Sequence, residues 1–284
     1  MLRLTFLMTL LTLLMVFLGD YFAGSTGMMF MLLLSLGSNF FMYWQSDKIV
    51  ISQYKAVEVD ANSAPVLYGI VAKLAARGKL PMPKVYVINS AVPNAFATGR
   101  NEQHAAVCVT SGLMNTLSPD EISGVLGHEL SHVKHGDILI GTIAASMAGV
   151  ISMLARSAMF FGGGDRRNRN PIISLLVLLL APMAATLIQL AISRSREYKA
   201  DYAGGAICGN PDLLADALAK IDNIATQRTL PNATENTAHM FIVSPFSAQD
   251  AKAMFSTHPS TEERIRRLRE EAEQMRRGEK IEFN

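Results

Sequence analysis

Four apolar stretches divide this chain, and they set the first limit on any fold it can adopt. Leu4 to Leu18 and Met28 to Trp44 lie near the start, while Ile138 to Phe161 and Ile172 to Ile192 lie in the middle. A helix needs about 20 apolar residues to cross a bilayer, within a range near 17–25. The last three stretches meet that length, and the first does so with its flanks. Of the 284 residues 50% are hydrophobic, too many for an ordinary soluble protein of this size, and the excess is concentrated in these runs. Mean hydropathy is accordingly positive. Arg3 followed by Leu4 to Leu18 also has the outline of a cleavable signal peptide. No small-x-small site follows it, however, and a second apolar run begins soon after, so the first run is read as a membrane helix.

The first two runs form an expected hairpin around the loop Gly19 to Gly27, whose only charge is Asp20. A loop without Lys or Arg belongs on the outer side, which places the N-terminus and Gln45 onward in the cytoplasm. The third and fourth runs form a second hairpin around Gly162 to Pro171. Its loop carries Arg166, Arg167 and Arg169 against Asp165, a poor outer loop by the same rule. Residues 45 to 137 form a polar segment with an amphipathic helix at Pro65 to Arg77. Strands are expected at Val85 to Ile88 and Ala105 to Thr110, with Asn94-Ala95-Phe96-Ala97 between them. After the second hairpin come Glu197 to Cys208, a helix opened by Asn210-Pro211, and a loose stretch from about Gln227 to Ser247. A charged helix from Ser260 follows, with Ser260 and Glu263 placed for a capping box.

The chemistry is concentrated in His128-Glu129-Leu130-Ser131-His132. Ser118-Pro119-Asp120-Glu121 begins a helix as a capping box, with Pro119 at its first position. Ile122, Val125, Leu126 and Leu130 then keep an apolar stripe at helical period. One turn separates His128 from His132, so both imidazoles project toward a single point, with Glu129 offset by about 100° around the axis. That is the arrangement of two metal ligands plus a general base for a metal-activated water. Zinc in a catalytic site takes three protein ligands and leaves one position open. His135 lies a further turn along and does not reach the same ion. The extended HExxHxxGxxH pattern fails, because His135 and Ile138 occupy its Gly and final His positions. Glu197-Tyr198-Lys199-Ala200-Asp201 supplies the alternative. Glu197 and Asp201 share a helix face, so Glu197 can coordinate the ion while Asp201 accepts the outer N–H of a ligand imidazole. The bland reading of the same residues is a solvated, charged helix end. His132 precedes the second hairpin and Glu197 follows it, so that hairpin crosses twice or not at all.

The net charge of +2, from 26 Lys and Arg against 24 Asp and Glu, gives no footprint for nucleic acid. Cys108 and Cys208 belong to no CxxC pair and read as free or buried thiols in a reducing compartment. His104 reads as a loop or strand-end residue and His135 as a cation at a helix end. His239 falls in the loose stretch.

Together these residues resemble the HtpX family of membrane zinc proteases, related to the CAAX prenyl proteases. The resemblance runs nearly the whole length: hairpin, Asn94-Ala95-Phe96-Ala97-Thr98-Gly99, HExxH helix, second hairpin, then ExxxD. It implies a gluzincin-type endopeptidase of the bacterial inner membrane, multi-pass, with its catalytic domain and both termini in the cytoplasm. Its substrates would be extended or unfolded polypeptides, mainly misfolded or damaged membrane proteins, under stress. One Zn2+ would be held by His128, His132 and Glu197, and Glu129 would activate water. Asn94, Ala95, Phe96 and Ala97 would lie on an edge strand that pairs with the substrate backbone. His258 and Arg264 match a His and an Arg near the metal in the prenyl-protease relatives, His258 as an oxyanion donor and Arg264 as the partner of Asp201.

The expected fold is a mainly α membrane protein, with two transmembrane helical hairpins and a zincin-like α+β catalytic domain carrying a small sheet. Residues 1–44 are the first hairpin, 45–137 the catalytic segment with the HExxH helix, 138–193 the second hairpin, and 194–284 the segment with the third ligand. A CAAX-type peptidase is the runner-up. A metal transporter or sensor is the rival from another class. It predicts ionisable residues within the apolar runs, which hold none apart from Arg156.

Overall fold

The computed structural model describes residues 2–139, 143, 194–227 and 259–278. The expected second hairpin, apart from its first residues, lies outside these, as do Arg156, the loop with Arg166, Arg167 and Arg169, His239 and His258.

Helix α1 (Leu2–Gln53) consists of two helical limbs that meet at Ala23 and Gly24, the two residues inside it with non-helical backbone angles. Gly24 takes φ +57 and ψ −152, a conformation that suits a residue without Cβ. Asn39 Nδ2 donates to Thr12 Oγ1 at 3.0 Å. On a straight helix those residues would stand about 40 Å apart, so the limbs fold back on each other. Gly19 and Gly27 face one another closely enough that a Cβ on either would strike the other's carbonyl oxygen. This corrects the expected nine-residue loop. The glycines pack the limbs together, and the turn itself needs only two residues.

Ala23–Gln45 is long and apolar enough to cross a membrane, and only 6% of its apolar window is buried. Phe30, Phe40, Phe41 and Trp44 are exposed along it. Apolar surface on this scale marks contact with something other than water. The helix does not stop at Trp44 but continues to Gln53, where Val50 is fully buried.

Four strands form a mixed sheet in the order β1-β2-β4-β3. β1 (Val57–Val59) runs antiparallel to β2 (Lys84–Ile88), β2 parallel to β4 (Ala105–Thr110), and β3 (Ala95–Gly99) antiparallel to β4. Every residue of β4 is buried, as befits a central strand covered on both faces. Val85, Ala95, Val107 and Val109 face the main core, shared with helices α2 (Pro65–Gly78) and α4 (Pro119–Lys134). Tyr86, Ile88, Phe96, Ala106 and Cys108 face the other way, onto Val50, Ile51 and Tyr54 at the end of α1. The expected helix and two strands therefore stand at their predicted places, β1 is additional, and β3 is an edge strand that takes in Ala95 to Ala97 of the stretch the family resemblance put on one.

Helix α3 (Ser111–Thr116) links β4 to α4. α4 opens on the predicted capping box, with Ser118 Oγ accepting from Glu121 N and Glu121 Oε2 from Ser118 N. Helices α5 (Arg194–Cys208), α6 (Pro211–Gln227) and α7 (Thr261–Arg276) complete the core. Ser260 caps α7, but Glu263 does not return the bond: its carboxylate accepts from Arg266 and Arg267. Two guanidiniums one turn away outcompete a single backbone amide.

Candidate metal centre

The site forms where α4 crosses α5, and glycine sets how closely. A Cβ on Gly127 would come within 2.7 Å of the Gly204 carbonyl oxygen, and one on Gly204 within 2.7 Å of His128 N. Ser131 Oγ adds a hydrogen bond to Ala200 O at 3.2 Å. This near-contact brings Glu197 and Asp201 of α5 against the histidine face of α4.

His128 Nε2 and His132 Nε2 stand 3.2 Å apart, with their rings nearly perpendicular. Glu197 Oε2 lies 3.7 Å from the first and Oε1 3.6 Å from the second. One donor atom from each residue falls within 4.8 Å of the others. Ligands about 2.0–2.1 Å from a tetrahedral zinc are separated by roughly 3.4 Å, so the two nitrogens and the carboxylate fit that ion as they stand. A His-His-Glu set is also the donor chemistry of a single catalytic zinc site. His128 and Glu197 are almost wholly buried, His132 somewhat less.

Each imidazole has a carboxylate behind it. His128 Nδ1 lies 2.9 Å from Asp201 Oδ1, close in distance although the ring N–H is not aligned along that line. Arg264 of α7, 1% exposed, grips Asp201 with two bonds, Nε to Oδ2 at 2.8 Å and Nη2 to Oδ1 at 2.6 Å. Burial alone would raise the Asp201 pKa, but the Arg264 guanidinium and His128 hold it below the usual carboxylate range. His132 Nδ1 faces Asp137 Oδ2 at 3.4 Å, and Asp137 Oδ1 lies 3.6 Å from Arg196 Nε. Burial opposes the charged form of His132, yet Asp137, Glu197 and Glu129 outweigh it and raise the pKa to about 9.

Glu129 is buried beside the histidines, and its Oε2 accepts from Ala97 N at 3.0 Å. Asn94 O accepts from Thr110 N, so by antiparallel alternation the Ala95 and Ala97 backbone groups face away from β4, toward the open side of the sheet. Burial and the negative Glu197 raise the Glu129 pKa, while the two histidines and the Ala97 N–H draw it down; burial prevails.

The structure thus gathers His128, Glu129, His132, Glu197, Asp201 and Arg264, and sets Asn94 to Ala97 at and just before the edge strand. His258 lies outside the described residues. His135 caps α4, its Nδ1 2.7 Å from Ser131 O, and is not among the clustered donors. His104 sits in an exposed 3-10 turn beside Asn101. Both cysteines are free and buried. Sequence reasoning passed over Asp137, Gly127, Gly204 and the bond from the Ala97 amide to Glu129. The two glycines carried a signal, since an isolated Gly inside a helix needs a packing reason. Asp137 follows the Gly136 turn, where no periodicity points at the site.

Residues 62–272 match the sequence model of peptidase family M48, well over half of the chain. The protease HtpX homologue of Methylibium petroleiphilum is 54% identical over 266 residues, covering 92% of this chain and 94% of that protein. The homologues of a Sulfurovum species and of Burkholderia thailandensis are 52% and 53% identical, over 92% and 94% of this chain and 96% and 95% of theirs. Among solved structures, the crystal structure of S. mikatae Ste24p aligns with a TM-score of 0.51 at 22% identity, over 90% of this chain. The chain spans 61% of that protein's length, and the likeness speaks for the fold.

Proposed function

The chain belongs to peptidase family M48, and from that membership we propose how its residues divide the work of a zinc-dependent endopeptidase. The activity itself, of the HtpX type, follows from the family and from the His-His-Glu cluster. Membrane association through the apolar N-terminal helix agrees with a part in membrane-protein quality control.

In this reading His128, His132 and Glu197 hold one Zn2+. Bound there, the ion supplies a Lewis acid that acidifies a water and polarises the scissile carbonyl. Glu129 takes the proton of the attacking water at Oε1, its Oε2 being tied to Ala97 N, and later gives that proton to the leaving amine. A raised pKa suits a group that must both accept and donate. Asp201, fixed by Arg264, orients His128, and Asp137 orients His132. The substrate lies extended along β3 as an added strand, bound chiefly through its main chain. That mode tolerates many sequences, as disposal of misfolded membrane proteins requires. Two transmembrane hairpins, with the catalytic segments and both termini on the cytoplasmic side of a bacterial inner membrane, complete the reading. The turn around Ala23 and Gly24, with no Lys or Arg between Gly19 and Gly27, supports it.

The observation that carries this reading is the contact between the base and the edge strand. Glu129 joins the metal cluster to Ala97, so the chemistry and the peptide-binding edge are one site. The test is detergent-purified protein assayed for bound zinc and for casein cleavage, with and without a chelator. Stoichiometric zinc and chelator-sensitive cleavage are expected; cleavage that survives complete metal removal refutes it. A reporter active only outside the cytoplasm tests the topology, glowing in the Gly19 to Gly27 region and dark after Gln45.

A further inference from the structure

Two struts link the edge strand to the last turn of the apolar stretch Ala23–Gln45, near Trp44. The first is α1. Trp44 stands in the last turn of the apolar stretch Ala23–Gln45, where tryptophan marks a membrane–water interface, and Asp47 and Lys48 are the first charges beyond. The helix runs on without a break to Gln53. Ten residues carry it from Trp44 to Tyr54, an advance of about 15 Å. There the Tyr54 ring lies 5.2 Å from that of Phe96 on β3.

The second strut is β3 itself. Arg100 follows its last residue, and the guanidinium sits 4.6 Å over the Trp44 ring. Three strand steps from Ala97 to Arg100 span about 10 Å. The arginine side chain supplies the remaining distance. Val50 is fully buried under the sheet and Ile51 and Tyr54 pack beside it, so the helical strut is seated against the catalytic segment at its far end.

We propose that the chain measures its cleavage point from the bilayer, cutting membrane-anchored polypeptides within about five residues of where they emerge, since an extended strand covers roughly 15 Å in four or five residues. The proposal rests on the preceding reading that substrate pairs with β3. A strand added at that edge advances residue for residue with β3, and its membrane anchor fixes where it starts. To be cut further out, the segment must loop back to the cleft. Loop closure then disfavours it roughly threefold for each doubling of the intervening length.

The test uses the full chain in proteoliposomes with a single-span anchor joined to a long, uniform, unstructured repeat. One substrate has the anchor before the repeat and one after it, and cut sites are mapped by mass spectrometry. In at least one arrangement the cuts are expected to peak within about five residues of the anchor and to fall roughly threefold per doubling of distance beyond. An even spread along the repeat, a peak far from the anchor, or failure to cut either substrate overturns the proposal. Casein without an anchor is assayed in parallel, and its survival would instead refute the protease reading. Replacing both pins, Trp44→Ala with Arg100→Ala, is expected to broaden the peak while the casein rate holds. An unchanged peak in that double variant rejects the two-strut ruler.

Discussion

His128 and His132 offer the same ring atom to the same point from successive turns of α4, yet what stands behind each ring differs. Behind His128, Asp201 is 4% exposed and is clamped by the doubly bonded, fully buried Arg264 of α7. Behind His132, Asp137 and Arg196 are partly open to solvent and meet at 3.6 Å. The first arrangement is a bidentate ion pair in a low-dielectric setting, strong but dependent on every member. The second is a longer contact that water screens. One side of the site fixes its geometry through three helices, and the other leaves room for adjustment where α4 meets the following segment. Four predictions test whether this inequality has consequences.

The largest effect concerns the residues the two sides share. Glu129→Gln keeps volume and leaves the three donors in place, so zinc is expected to remain near one per chain while casein cleavage falls about 10²–10⁴-fold. Glu197→Ala leaves two histidines, and bound zinc is expected to fall with activity. Elemental analysis beside the cleavage assay separates them, and the reverse pattern would exchange the roles of the two glutamates.

Next comes the clamp. Arg264→Met leaves the Asp201 charge buried without its partner, a change that typically costs about 3–5 kcal/mol. A lowered unfolding temperature is expected, together with weaker zinc retention. Adding Asp201→Asn removes the orphaned charge and should recover part of the lost stability. A double variant no more stable than Arg264→Met alone would show that the pair is not the source of the loss. The third prediction sets the sides against each other directly. Asp201→Asn alone is expected to cost about 10–100-fold in zinc affinity, the usual range when the group orienting a ligand histidine is lost. Asp137→Asn is expected to cost less, being more exposed and 3.4 Å from its ring. Equal losses, read by chelator competition, would erase the distinction between the sides.

The same contrast explains how far the sequence reached. The inner side was legible because periodicity places it: His128 and His132 one turn apart, Glu197 and Asp201 one turn apart, each on its own helix. Arg264 was reached through family resemblance, since nothing in its neighbourhood pointed at Asp201. Asp137 escaped because it follows the Gly136 turn, where helical arithmetic stops. The strands β2 and β4 were visible as β-branched apolar runs. Ala95-Phe96-Ala97-Thr98-Gly99 has weak strand propensity, and pairing with β4 makes it a strand despite that. In α1 the glycines were misread as loop formers because a close helix–helix approach and a turn draw on the same residue.

The smallest expected effect lies further behind the inner side and, among the described residues, has no counterpart on the outer one. Glu271 of α7 is 7% exposed, its Oε1 finds no hydrogen-bond partner among the described residues, and it stands close to Gly205 of α5. Burial, and then the negative charge of Asp201, raise its pKa from 4.5 to about 8. Between those values the folded chain keeps a proton that the unfolded chain has released. Stability contributed by this group is therefore full at acid pH and is lost as pH rises toward about 8. Glu271→Gln preserves the shape and removes the titration. The difference in unfolding temperature between the variant and the parent should thus be small near pH 5 and grow, by a few degrees, toward pH 8.5. Taking the difference cancels the other titrating groups, including His132. A difference independent of pH would mean that Glu271 is ionised in the folded chain, with a cation or ordered water meeting its carboxylate, and the inner side would then be less dry than its geometry indicates.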